Sequence, residues 1–180
     1  MKKSINAVTR WLVILSFCLL PSEVLAASPF ANEDHQRVVI ELFSPVDSIE
    51  IDQIHSEPAM MKVDFVGEDG KRIPITTFSQ EGSSLPRMVG IFKAHFRSRQ
   101  ILFLIVKWHY YLPGVNTEAD YYEVHAYNAS LGNARIPLFA QDQFLSTIFG
   151  SGLDGKEEGK NVHFKFKDVM SIRRGLDEIK

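Results

Sequence analysis

The sequence predicts a mainly β fold of the α+β class: an antiparallel sheet or two-sheet β-sandwich with a C-terminal α-helix packed on it. Three observations carry this. Apolar and polar residues alternate in short runs separated by turn residues, as in Ser48-Ile-Glu-Ile-Asp-Gln-Ile54. One run, Ile101-Leu-Phe-Leu-Ile-Val106, is apolar at every position, which marks a central strand covered on both faces. Only after Asp168 does the period lengthen, with Val169, Ile172, Leu176 and Ile179 at helical spacing.

The chain opens with a segment that reads as a secretory leader, Met1 to Ala26. Lys2, Lys3 and Arg10 give it a positive start, and Trp11 to Leu20 is a ten-residue apolar run. That run is too short for a bilayer-spanning helix, which takes about 20 residues. Pro21 ends it, and cleavage is expected after Ala26. The sole cysteine, Cys18, falls inside the leader, so the exported chain carries no thiol. The leader is of bacterial type and implies the periplasm.

Cleavage leaves 154 residues, 27–180, expected to form a single β-rich domain large enough to bury a core without disulfides. Without Lys2, Lys3, Arg10 and Glu23, the 20 basic and 22 acidic residues become 17 and 21, a net charge of −4. A mildly acidic chain with scattered charges is poorly suited to nucleic acid or anionic lipid, where basic patches supply the affinity. No later segment is long and charge-free enough for membrane insertion.

Strands are expected at Arg37 to Phe43, Ser48 to Ile54 and Met61 to Val66, with the acidic turn Gly67-Glu-Asp-Gly70 leading into a returning strand, Arg72 to Thr77. The Gln80 to Pro86 segment reads as a loop. Two long strands follow, Met88 to Phe96 and Gln100 to Tyr111, joined by the turn Arg97-Ser-Arg99. An eight-residue loop, Pro113 to Asp120, precedes a strand from Tyr121 to Tyr127. A short helix is expected around Asp142 to Phe149, closed by Gly150, and the final helix takes Asp168 as its N-cap.

Chemistry-bearing residues gather in one place. If the strands ending Trp108-His-Tyr-Tyr111 and running Tyr121-Tyr-Glu-Val-His-Ala-Tyr127 pair as a hairpin, five tyrosines, a tryptophan and two histidines meet. Aromatic residues serve sheets as cross-strand pairs, and Tyr and Trp also dominate protein interfaces. Trp108, Tyr110, Tyr111, Tyr121 and Tyr122 are therefore the candidate partner-binding set. His109, Glu123 and His125 would make a zinc site for hydrolysis if the register brought them to one face, and a one-residue slip separates them. Phe149 to Gly159 is glycine-rich and acidic and reads as an exposed loop, with Asp154, Glu157 and Glu158 placed to complement a basic partner. It lacks the alternating acids of a calcium loop and the Gly-Lys-Ser/Thr of a phosphate loop. No Gly-x-Ser-x-Gly elbow is present, so no nucleophile stands out.

In size, leader and β-rich character the chain resembles small exported proteins of Gram-negative bacteria that act as inhibitors or as immunity proteins. That resemblance implies a non-enzymatic module without a cofactor, whose protein partner is a toxin, a hydrolase or an envelope component. The rival expectations are a structural part of an envelope or secretion assembly and a metal-dependent hydrolase using His109, Glu123 and His125.

Overall fold

Alternation along four consecutive segments builds the first sheet. The computed structural model describes residues 34–179. In it β1 (His35–Val39), β2 (Ser48–Ile54), β3 (Met60–Val66) and β4 (Arg72–Ser79) form an antiparallel meander in chain order. Ile49, Ile51, Met61, Val63 and Phe65 point inward and are buried. Their neighbours Glu50, Asp52 and Asp64 face outward, where Arg72 pairs with all three. The alternating acids are thus the solvent face of a sheet.

The second sheet is β5 (Arg87–Phe96), β6 (Arg99–Leu112), β7 (Thr117–Leu131), β8 (Pro137–Gln141), β9 (Ser151–Glu157) and β10 (Lys160–Val162). Its order is β10-β9-β7-β6-β5, with β9 on the first half of β7 and β8 on the second. Between β8 and β9 lies α1 (Gln143–Phe149), and α2 (Val169–Glu178) ends the described chain. Both helices start where the sequence places an N-cap. Asp142 accepts from the Leu145 N–H at 3.0 Å and Asp168 from the Ser171 N–H at 2.8 Å.

Ile101 to Val106 in β6 are all 0 % exposed, as an apolar run covered on both faces requires. Leu102, Leu104, Val106 and Trp108 pack against the first sheet in one core. Ile101, Phe103 and Ile105 turn the other way and pack with Leu145 and Phe149 of α1 and Ile172 and Leu176 of α2. The molecule is therefore sheet, sheet, helices, with β6 in the middle. No helix among the described residues is long and apolar enough to cross a membrane.

Several expectations are corrected. The first strand ends at Val39 rather than Phe43, because Asp47 draws the chain into a bend, its carboxylate accepting the Phe43 and Ser44 N–H groups at 2.7 Å each. Ile40 and Leu42 still reach the core. The Pro113 to Asp120 loop shrinks to residues 113–116, a 3-10 turn closed by left-handed Asn116, so β6 and β7 form a longer hairpin. The acidic loop from Phe149 to Gly159 is instead mostly β9, followed by a two-residue turn into β10. Its glycines serve packing. A Cβ on Gly155 would lie 2.7 Å from the Glu118 carbonyl oxygen and 2.8 Å from the Ala119 Cα, at a φ of +142°. The leader, its cleavage point and Cys18 lie outside the described residues.

Because Phe103 and Leu104 feed opposite cores, their losses should add. Phe103→Ala should cost about 3–5 kcal/mol and Leu104→Ala about 2–5 kcal/mol in urea unfolding, with the double variant close to the sum if it still folds. Strong non-additivity would mean the two layers share one cavity response.

Candidate functional site

The first sheet does not cover the second completely. It ends at β4, where Phe78 packs edge-on to Trp108 and His125, at ring separations of 6.2 and 4.9 Å. Beyond β4, Tyr110, Tyr121 and Leu153 occupy the same face of the second sheet, since Tyr110 lies two residues from Trp108, Trp108 pairs with Tyr121, and Tyr121 pairs with Leu153. There they line an open groove of about 810 Å³ together with Phe164, Glu81 and Glu157. Past Glu81 the depression continues along β4 to Glu123 and His125.

The groove is firmly built. The Tyr110 and Tyr121 rings stack at 5.9 Å and 16°. Tyr110 donates its hydroxyl to Glu81, and Tyr121 donates to Ser151 Oγ at 2.9 Å. Burial and then the Glu81 carboxylate push the Tyr110 phenol well above its ordinary range, so it stays a donor. The end of β4 and the strap over residues 80–86 hold the hairpin: Trp108 Nε1 donates to the Ser79 carbonyl at 3.0 Å and Ser84 donates to the His109 carbonyl.

The residues singled out in the sequence divide between the two faces of the hairpin. Tyr110 and Tyr121 reach the groove. Tyr111 is 65 % exposed near the hairpin tip. Trp108 and Tyr122, 3 % and 8 % exposed, belong to the two cores. Tyr122 stacks on Phe164, and burial followed by Asp120 and Asp154 pushes its phenol up to about 12. Glu157 lines the groove and Glu158 caps the β9–β10 turn in a left-handed conformation. Asp154 lies on the other face of β9 from Leu153, and Lys167 at 2.6 Å and His163 at 2.7 Å bind its carboxylate. Glu81, Leu153 and Phe164 join the site without a local signal, because each arrives from a distant segment.

The zinc set does not assemble. Register pairs His109 with Asp120, which places it on the helix side, while Glu123 and His125 lie on the groove side. Each histidine has its own carboxylate, His109 Nδ1 at 2.9 Å from Asp120 and His125 Nε2 at 2.8 Å from Glu123. Among the described residues no group of three or more His, Cys, Asp or Glu could hold a metal ion. No family model, curated protein or solved structure matches the chain.

The hydrogen bond from His125 holds the Glu123 carboxyl below its ordinary value of 4.5, against the opposing effect of burial. A carboxylate depressed in the folded state contributes stability above its unfolded value, lost as pH falls through the folded one. His125→Phe keeps an aromatic ring beside Phe78 and removes the donor. In ¹³C-detected titration Glu123 should then move up toward 4.5, with a smaller acid-linked loss of stability. An unmoved midpoint would show that His125 does not control this carboxyl.

Proposed function

We propose that the chain is an exported, non-enzymatic protein-binding module that acts as an inhibitor or immunity-type protein. It docks the tip of the β6–β7 hairpin into a cleft of a secreted or envelope hydrolase or toxin. One observation carries this reading. Tyr111, Leu112 and Val115 are 65, 52 and 56 % exposed, within five residues of one another at the end of a hairpin whose base is immobilised. Large apolar side chains grouped on a surface mark interaction sites when they are contiguous.

Rigidity supports the same conclusion. Asn116 donates its N–H to the Pro113 carbonyl at 3.1 Å, and the Gly159 N–H reaches the Asn116 carbonyl at 2.9 Å. Glu158 N–H adds a bond to Thr117 Oγ1 at 3.0 Å. The β9–β10 turn thus braces the tip, so little ordering is needed on association. Inhibition in this scheme is steric: the tip fills space that a substrate or target would use. Export rests on the leader-like residues 1–26.

A photo-crosslinking amino acid at 111, 112 or 115, in the protein expressed in its own host, should capture one dominant soluble partner. With that partner in hand, Leu112→Asp and Val115→Asp should each weaken affinity by at least roughly tenfold. Thermal stability should hold, since both side chains face water. Unchanged affinity would remove the tip from the interface, and a membrane complex as the dominant cross-link would assign the chain to an envelope assembly instead.

A further inference from the structure

The groove beside that hairpin is lined by more acidic than basic side chains. Glu81 and Glu157 line it together with His163, and Glu123 continues it. Lys160 stands opposite Glu157 in register, but among the described residues no lysine or arginine forms an ion pair with any of the three glutamates. Several carboxylates elsewhere are answered by cations: Arg72 serves three, Arg99 holds Asp142 at 2.6 Å, and Lys107 holds Asp120 at 2.6 Å. In the groove Glu81 accepts the Tyr110 hydroxyl and Glu123 meets His125, beside the stacked rings of Tyr110 and Tyr121. Aromatic faces and carboxylates together attract guanidinium and ammonium groups.

An independent feature sits on the groove's rim. β10 pairs only with residues 155–157 of β9, so no strand of the described chain covers the outer edge of β9 from Ser151 to Asp154. The Val124 N–H donates to the Gly150 carbonyl at 3.0 Å. From that bond the ladder alternates, and the N–H and C=O groups of Ser151 and Leu153 point away from β7. Unpaired strand edges accept extended segments, with alternate side chains entering whatever pocket lies alongside.

We propose that the groove seats an extended, arginine- or lysine-bearing segment of the partner, added as a short strand to the outer edge of β9. Its basic side chains lie over Tyr110 and Tyr121 against Glu81 and Glu157. This rests on the protein-binding reading above and names the chemistry of the partner's segment.

The probe is an acetylated, amidated Val-Arg-Val-Arg-Val peptide titrated into ¹⁵N-labelled protein, beside its Val-Glu-Val-Glu-Val counterpart. The arginine peptide should shift the amides of residues 151–154 and 162–164 to saturation, and the glutamate peptide should not. Added salt should weaken binding, and the Glu81→Gln, Glu157→Gln double variant should weaken it roughly three- to tenfold. N-methylation of the central valine, which removes an edge donor, should also weaken it. Silent amides at 151–154, equal response to both peptides, or binding indifferent to the double variant would each overturn the proposal. If tip cross-linking survives in the double variant while the peptide stays silent, the hairpin reading stands and the basic-segment inference fails. If the peptide binds as expected while tip cross-linking finds nothing, the groove site stands and the hairpin reading fails.

Discussion

Six consecutive residues of β6 must be kept from water on both sides, and the rest of the architecture answers that demand. Ile101 to Val106 offer apolar side chains alternately up and down, so one partner layer is not enough. The four-stranded sheet takes the even positions, and α1 with α2 takes the odd ones. The demand stops at Lys107. From there β6 and β7 continue as a two-stranded extension, flanked by β9 and β10 on one edge and strapped by residues 80–86. Groove and tip are both built beyond the fully buried run, where Tyr110 and Tyr121 pack only partly against the first core, so the candidate site begins where double coverage ends.

That division explains what could be read in advance. A both-faced apolar run, alternating strands and capped helices are local patterns, and β2, β3, β5, β6 and both helices follow them closely. β9 and β10 were hidden because Gly152, Gly155 and Gly159 give the segment the composition of a loop. The reason for two of these glycines is long-range: Phe164 presses on Gly152, with its ring 2.6 Å from where a Cβ would stand, and the β7 backbone presses on Gly155. β8 was equally silent, five residues long with proline at its start.

The site was half legible for a related reason. Residue type pointed to the tyrosines, but facing depends on register, and register depends on the length of the turn. A four-residue tip with a left-handed Asn116 sets Trp108 against Tyr121 and His109 against Asp120. That single choice sends Tyr121 to the groove and its neighbour Tyr122 to the helix-side core. It also parts His109 from Glu123 and His125. Glu81 and Phe164 come from segments about thirty and forty residues away from the tyrosines they meet, beyond the reach of periodicity.

Alternation also separates folding from recognition within one hairpin. Trp108 and Tyr122 are held by packing, so changes there act on stability before they act on any surface. Tyr111, Leu112 and Val115 stand in water, and the hydrogen bonds that fix the tip run through backbone groups rather than their side chains. Tip side chains can therefore be exchanged with little effect on the fold, provided the positive φ at Asn116 is kept. In the proposed docking, partner choice can thus change by altering three exposed positions while the two cores stay as they are. The groove is less free, because Tyr110 and Tyr121 stack on each other and bond to Glu81 and Ser151. A tip open to variation beside a constrained acidic groove suits a module that keeps one general attraction to basic chains and refines specificity at its point of entry.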